Sequence, residues 1–262
     1  MKSTKTLNNL GILVTRPAHQ AEPLCRLITQ HGGIPIRFPA LEIANVEDTR
    51  RLHRQIQQLD KFDIAIFISP NAVNKAISLI KSIGKWPNQI KIAAVGKSSA
   101  KALDSSGLIA DIFPSLRFNS EALLDLEEMH EVKGKSIIIF RGEGGRELLA
   151  DTLKNRGAKV EYAECYRRRR PNADTSQIIE QWVNGKIKLV ICTSNESLLN
   201  LHDMLNPLGR QCLLNTAMVV FSERAANLAM QLGFKSRPLV TKQASDDEIL
   251  NSILIWSKMH EA

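Results

Sequence analysis

The sequence lacks any long apolar run. None of its apolar stretches approaches the roughly 18 residues of a membrane-spanning segment. Residues 1–9 are polar and have no apolar middle of the kind that a signal peptide carries. We therefore expect neither an exported protein nor a membrane partner.

Cysteine is scarce and shows no pattern. The chain has no Cys-x-x-Cys pair among its four cysteines, which are Cys25, Cys165, Cys192 and Cys212. This spacing supports neither a disulfide framework nor a zinc site, and it is typical of a reducing compartment, so we expect a cytoplasmic protein. No two of the six histidines have metal-ligand spacing, so no metal site is expected.

The usual catalytic and nucleic-acid signatures are also missing. Gly96-Lys97-Ser98 resembles the end of a phosphate-binding loop, but the glycine that this motif needs five residues earlier is replaced by Lys91. No Ser-His-Asp or Cys-His arrangement can be argued from the sequence. The basic run 167–170 lies on one extended segment without an aromatic platform. A solvated linker strand is therefore favoured over a nucleic-acid partner.

An internal repeat is present. Residues 11–17 form an apolar strand that ends in Thr-Arg-Pro, and residues 136–146 form another apolar strand that ends in an arginine. Matching residues recur in the same order at an offset of about 125, as Arg16 and Arg141 do. We infer two copies of one α/β half. The first helix is expected to carry Glu22 and Pro23 in its first turn.

Strands and helices alternate along both copies, which predicts an α/β fold with two doubly wound parallel sheets. Two extended segments, 34–43 and 159–170, occupy equivalent places and are expected to pair as a two-stranded connector. Strict alternation in the second segment predicts that one face carries Val160, Tyr162, Glu164, Tyr166 and Arg168.

Polar turns follow the predicted strands, at the edge where doubly wound sheets bind ligands. Arginine suits carboxylates, and the formal net charge of +8 favours an anionic partner. A basic surface that only maintains solubility is the alternative. The candidate binding residues in these turns are Arg16, Ser69, Asn71, Gly96, Lys97, Ser98, Arg141, Gly142, Gly144, Arg146, Ser194, Asn195, Ser222 and Arg224.

The turn 142–145 is rich in glycine. Its backbone amides are suited to cradle a carboxylate or phosphate, and a plain tight turn is the alternative. Arg141 likewise has two candidate roles, because it either holds a substrate carboxylate or braces this turn.

Taken in order, these residues resemble the uroporphyrinogen-III synthase family over about residues 11–255. Each matching segment is short, and their order over nearly the whole chain makes the resemblance specific. The segments are 14–17, 39–43, 67–73, 94–100, 141–142 with Arg146, 166–168 and 193–194.

The resemblance implies two α/β domains, with the first strand–helix unit swapped into the C-terminal domain. Residues 1–36 and 172–262 would form one domain and residues 46–157 the other. Residues 37–45 and 158–171 would be the connector strands, and the active site would lie in the cleft between the domains.

The resemblance also implies a lyase that cyclises hydroxymethylbilane to uroporphyrinogen III, with loss of water and inversion of the last ring. No cofactor or metal is implied. We expect a monomer, with the upstream bilane-forming enzyme as a second candidate partner. Tyr166 matches the family's tyrosine that is proposed to protonate the leaving hydroxyl. From the residues alone, a packed aromatic is the favoured interpretation of Tyr166, and a two-domain protein that only binds a small anion stays open.

Overall fold

The computed structural model describes residues 6–260, and the chain divides into two compact units. Unit 1 contains the residues up to Glu42 and those from Arg169 onward, and unit 2 contains Ile43–Arg168. Each unit is built on one five-stranded sheet.

The strands are β1 (Gly11–Val14), β2 (Ile34–Arg37), β3 (Glu42–Ala44), β4 (Ile64–Phe67), β5 (Lys91–Ala94), β6 (Ser136–Gly142), β7 (Lys159–Arg169), β8 (Leu189–Cys192), β9 (Ala217–Val220) and β10 (Leu239–Val240). The helices are α1 (Ala18–Gln30), α2 (Arg50–Gln57), α3 (Pro70–Ile83), α4 (Lys97–Ser105), α5 (Ser120–Leu124), α6 (Glu127–His130), α7 (Leu148–Asn155), α8 (Ser176–Val183), α9 (Asn195–Met204), α10 (Pro207–Leu214), α11 (Glu223–Gln231) and α12 (Asp246–His260).

The strand order is β10-β9-β8-β1-β2 in unit 1 and β3-β7-β6-β4-β5 in unit 2. All neighbours in the unit 1 sheet pair in parallel, as do β7, β6, β4 and β5 in unit 2. β1 and β2 therefore join the C-terminal strands. The predicted α/β class with two parallel sheets is confirmed, and so is the swap of the first strand–helix unit.

Apolar side chains cover both faces of each sheet, which explains why the strands are continuous apolar runs in the sequence. In unit 2, Phe67 and Phe140 stack at 4.8 Å on the face that α2, α3 and α4 cover. Ile66 and Ile139 lie on the opposite face, which α5, α6 and α7 cover. Because these strands are buried on both faces, only their ends and the turns that follow them are accessible to ligands.

β7 departs from the predicted alternation. Arg141 of β6 lies opposite Glu164, but the next residue, Gly142, lies opposite Tyr166. The extra residue in β7 forms a β-bulge. It places Tyr166 on the α2–α4 face, whereas Tyr162 packs on the α5–α7 face. The prediction that Tyr162 and Tyr166 share one face is wrong, because a single inserted residue reverses the alternation.

The first helix also begins earlier than predicted. α1 starts at Ala18, so Pro23 lies inside the helix and not in its first turn. Ala21 is buried together with Leu24 and Ile28. The apolar face therefore extends one turn toward the N-terminus. The free energy gained by burying this face offsets the cost of the backbone hydrogen bond that Pro23 cannot donate.

The two predicted connector segments belong to the sheets. Segment 34–43 divides between β2, in the unit 1 sheet, and β3, which lies beside β7 at the edge of the unit 2 sheet. The resemblance implies domain limits at residues 36, 46, 157 and 172. The two units of the structure divide at 42/43 and at 168/169, which lie inside the two expected connector strands.

Candidate functional site

Three turns of unit 2 follow neighbouring strands of its sheet. Ser69 follows β4, Gly96 follows β5, and residues 142–146, which we call the glycine turn, begin at the last residue of β6. Because parallel strands end at the same edge, these turns share one edge of the sheet. Doubly wound sheets bind their ligands at this edge.

Tyr166 lies at this edge and is almost fully buried, with 1% of its surface exposed. Its hydroxyl is 3.1 Å from Oγ of Ser69. Ser69 is the N-cap of α3, where its Oγ accepts the backbone N–H of Ala72 at 3.1 Å. The bulged strand and the capped helix together fix the phenol, and a fixed phenol can serve as a general acid.

A cavity of about 280 Å³ lies against the glycine turn. It brings together five of the predicted site residues: Arg141, Gly142, Gly144, Arg146 and Tyr166. The other residues that line it are Ile68, Val95, Ser120, Ile139, Glu143, Gly145, Leu149, Tyr162 and Arg168.

The Arg141 side chain is buried and directed into protein contacts. Its Nη1 donates to Oε1 of Glu147 at 3.1 Å, its Nε donates to the carbonyl of Gly142 at 3.1 Å, and its Nη2 donates to the carbonyl of Gly144. The guanidinium carbon lies 4.3 Å from the centre of the Tyr162 ring. These contacts brace the glycine turn, which is the second of the two roles considered for Arg141.

Tyr162 and Glu147 complete this brace, and neither was a candidate from the sequence. The Tyr162 hydroxyl donates to Oε2 of Glu147 at 2.6 Å. This hydrogen bond lowers the pKa of Glu147, while burial and the Glu147 carboxylate raise the pKa of Tyr162. No sequence signal points to the pair, because their contact depends on the register of β7 against β6 and on the path of the glycine turn.

The glycine turn presents unused backbone donors. Glu143 donates its N–H to the carbonyl of Tyr166 at 2.8 Å. Within residues 6–260, the amides of Gly144, Gly145 and Arg146 make no hydrogen bond. α7 follows directly, and its first turn has no side-chain cap. Free amides beside the positive end of a helix are suited to bind an anion.

The other predicted residues of unit 2 do not line this cavity. They are Ser69, Asn71, Gly96, Lys97 and Ser98. Lys97 is exposed, with its Nζ 4.5 Å from the centre of the Phe118 ring. Arg146, which does line the cavity, has 78% of its side chain exposed and lies 3.2 Å from Oε1 of Glu121.

The predicted residues of unit 1 follow the strands of the unit 1 sheet. Arg16 follows β1 and forms an ion pair with Asp246 at 2.5 Å. Ser194 and Ser222 cap α9 and α11, so each hydroxyl accepts a backbone N–H. Asn195 begins α9, and Arg224 is exposed in the first turn of α11.

The described residues contain no cluster of three His, Cys, Asp or Glu side chains that is placed to hold a metal ion. Burial raises the pKa of the Cys165 and Cys192 thiols to about 12, as expected for core cysteines. Between residues 6 and 260, no helix has the length and apolar character needed to cross a membrane.

Comparison with known proteins assigns the chain to a family. The model of the family described as "Uroporphyrinogen-III synthase HemD" matches residues 22–250. The uroporphyrinogen-III synthase of Escherichia coli (strain K12) is 34% identical over 246 residues, which cover 93% of this chain and 100% of that protein. The enzyme of the same name from Salmonella typhimurium is 32% identical over the same length and coverage.

The fold is similar to that of solved structures. A mutant uroporphyrinogen III synthase from Thermus thermophilus has a TM-score of 0.60 at 16% identity, covering 94% of this chain and 99% of that one. The Helicobacter pylori uroporphyrinogen-III synthetase has a TM-score of 0.59 at 15% identity, covering 95% and 99%. At these identities the likeness shows the fold alone.

Proposed function

The chain belongs to the uroporphyrinogen-III synthase family, and we propose that Tyr166 is the proton donor of its reaction. The enzyme is a lyase of porphyrin biosynthesis that closes hydroxymethylbilane to uroporphyrinogen III with loss of water. One observation carries the role of Tyr166. Its hydroxyl is held by Ser69 at 3.1 Å, and the residue lines a cavity at the ligand-binding edge of the unit 2 sheet.

The chemistry needs an acid because hydroxide is a poor leaving group. The adjacent pyrrole nitrogen supplies the electron pair that breaks the carbon–oxygen bond. The Tyr166 phenol gives its proton to the departing oxygen, which leaves as water. Ser69 is placed to donate a hydrogen bond to the phenolate that results. The azafulvene carbon then bonds to the substituted α-carbon of the last pyrrole, and the bond from that α-carbon to the neighbouring methylene bridge breaks. The released methylene bonds to the free α-carbon of the same ring, which inverts the ring. The proton lost from that carbon when the ring regains aromaticity returns to Tyr166.

The glycine turn is proposed to bind a carboxylate of the substrate. The amides of Gly144, Gly145 and Arg146 are available as donors, and these residues line the same cavity as Tyr166. A cavity of about 280 Å³ accommodates part of a tetrapyrrole and not the whole. Further carboxylates are assigned to the remaining candidates, which are Arg16, Asn71, Gly96, Lys97, Ser98, Ser194, Asn195, Ser222 and Arg224.

The setting of the enzyme is also a proposal. We place it in the cytoplasm as a monomer that receives hydroxymethylbilane from the enzyme that forms it. Four free thiols support a reducing compartment. Direct transfer would limit the spontaneous closure of free hydroxymethylbilane to the type I isomer.

Tyr166→Phe tests the proton donor. General acids typically contribute about 10²–10⁴-fold, so the turnover number should fall by up to that factor when fresh hydroxymethylbilane is supplied. The product should remain the type III isomer, because ring inversion depends on how the substrate is folded and not on the proton.

Circular dichroism and the melting temperature would show that the Tyr166→Phe variant is folded. Unchanged turnover would make Tyr166 a packed aromatic. A switch to type I product at normal affinity would mean that the phenol steers ring closure, a role not proposed for it.

A further inference from the structure

Gly142 lies against the ring of Tyr166 across the β6–β7 pair. A Cβ atom built on Gly142 would lie 2.6 Å from Cε2, 2.7 Å from Cζ and 3.2 Å from Cδ2 of that ring. Such contacts essentially never occur below 3.0 Å, and ordinary contact begins at 3.4 Å. The ring therefore fills the space that any other side chain at position 142 would need.

The need for glycine at position 142 is steric and not conformational. Gly144 and Gly145 have positive φ angles of 68° and 112°, but Gly142 has an ordinary φ that alanine can adopt. The two ring atoms nearest to the added Cβ are Cζ, which bears the hydroxyl, and its neighbour Cε2. A side chain at position 142 would therefore displace the reactive end of the phenol.

We propose that Gly142 is a positioning residue that sets where the Tyr166 hydroxyl lies, an inference that rests on the proposed role of Tyr166. Three other features limit where the Tyr166 ring can move. The bulge sets the path of the β7 backbone, the Glu143 N–H donates to the Tyr166 carbonyl at 2.8 Å, and the Ser69 hydroxyl is hydrogen-bonded to the Tyr166 hydroxyl. An alanine at 142 would require the ring to retreat by about 0.8 Å to reach ordinary contact.

The kinetic test is Gly142→Ala with Gly84→Ala as the matched control. Misplacement by about 1 Å costs up to about 100-fold, so Gly142→Ala should lower the turnover number by about 10- to 100-fold and change KM by less than about threefold. Gly84 has no atom within 4 Å of an added Cβ and no positive φ, so its variant should match the unmodified enzyme.

A double variant separates positioning from general damage. In the Tyr166→Phe background the proton donor is already absent, so Gly142→Ala should lower turnover by no more than about twofold. An equal loss in both backgrounds would overturn the proposal.

Fluorine NMR reads the contact without relying on activity. The chain has two tyrosines, so 3-fluorotyrosine labelling gives two resonances, which Tyr162→Phe assigns. Gly142→Ala should shift the Tyr166 resonance, and Gly84→Ala should shift neither. An unchanged Tyr166 resonance in folded Gly142→Ala would overturn the proposal. Full activity of Tyr166→Phe would remove the proton-donor role and leave this measurement to decide the contact.

A stability measurement applies even if Gly142→Ala folds poorly. Tyr166→Leu removes the obstructing ring atoms, so Gly142→Ala should lower the melting temperature less in that background than in the unmodified chain. An equal loss of melting temperature in both backgrounds would contradict the steric contact.

Discussion

Ser69 links the fold to the chemistry at the scale of single residues. Its Oγ accepts the Ala72 N–H, as an N-cap does, and the same oxygen lies 3.1 Å from the Tyr166 hydroxyl. A serine hydroxyl has one proton to donate and two lone pairs to accept with. It can therefore cap α3 with one lone pair and still donate its proton to a phenolate.

Ser69→Ala should lower the turnover number by about 10- to 100-fold, because a hydrogen bond to a charged group contributes about 1.5–3 kcal/mol. The loss should be smaller than in Tyr166→Phe, which removes the proton itself. Ser69→Thr keeps the hydroxyl and should retain most of the activity. Steady-state turnover of the three variants checks this order.

The control for Ser69→Ala is Asn206→Ala. Asn206 caps α10 by accepting the Gly209 N–H at 2.9 Å, and it lies outside the candidate site. Loss of either cap should cost about 1 kcal/mol of stability. Only Ser69→Ala should lower turnover, and a comparable loss in Asn206→Ala would trace the effect to stability.

The end of β6 is the informative feature at the scale of elements. The glycine turn has two residues with positive φ, and Arg141 fills the space beneath it. Gly145 has a positive φ, and a Cβ there would lie 2.9 Å from Nη2 of Arg141, so a side chain at this position would push the guanidinium group out of its place under the turn. The brace of Arg141, Glu147 and Tyr162 thus holds a turn whose amides stay available to a ligand.

Tyr162→Phe should destabilise the fold in a manner that depends on pH. The pKa of Glu147 is lowered, so its contribution is complete above 4.5, the ordinary glutamate value, and is lost as the pH falls through the lowered pKa. The pKa of Tyr162 is raised, so its contribution is complete below 10.0 and is lost only at higher pH. The hydrogen bond therefore stabilises the fold fully between these two values.

Melting temperatures measured across pH test this window. Tyr162→Phe should melt below the unmodified enzyme at about pH 7, and the difference should narrow as the pH falls below about 4.5. The phenylalanine ring still packs against Arg141, so the comparison isolates the hydroxyl. A difference that stays constant from about pH 7 to about pH 3 would contradict the assigned hydrogen bond.

The sequence predicted where the strands end and where the turns after them lie. It predicted less well the positions of the side chains at those ends. The offset between Arg16 and Arg141 revealed the repeat, and the position after an apolar strand is enough to place a turn at the ligand-binding edge. The face that Tyr166 occupies could not be predicted, because a bulge leaves the run of residue types unchanged and only alters the pairing with β6. The Glu147–Tyr162 pair depends on the same register.

Charge is the property that acts at the scale of the whole molecule. The formal net charge of +8 attracts a substrate that carries several carboxylates, and its effect on association weakens as salt screens it. Several arginines are already paired within each unit, as Arg16 is with Asp246 and Arg146 with Glu121. The Arg146–Glu121 pair is exposed and contributes little to stability, so Arg146 can exchange its partner for a substrate carboxylate at small cost.

KM for hydroxymethylbilane should therefore rise with ionic strength, while the turnover number changes less. The Debye length shortens to about 8 Å at about 0.15 M, which is short enough to screen exposed groups such as Arg146. Arg146→Gln should raise KM by about two- to fivefold at low salt and flatten the salt dependence, as expected for one exposed pair.

Lys159→Gln is the matched control, because it also removes one positive charge. Lys159 is the first residue of β7 and so lies at the edge of the sheet away from the ligand-binding turns, and its loss should change KM less. Equal effects of the two variants would point to the overall charge and not to the glycine turn, and a KM that does not vary with salt would remove the electrostatic role altogether.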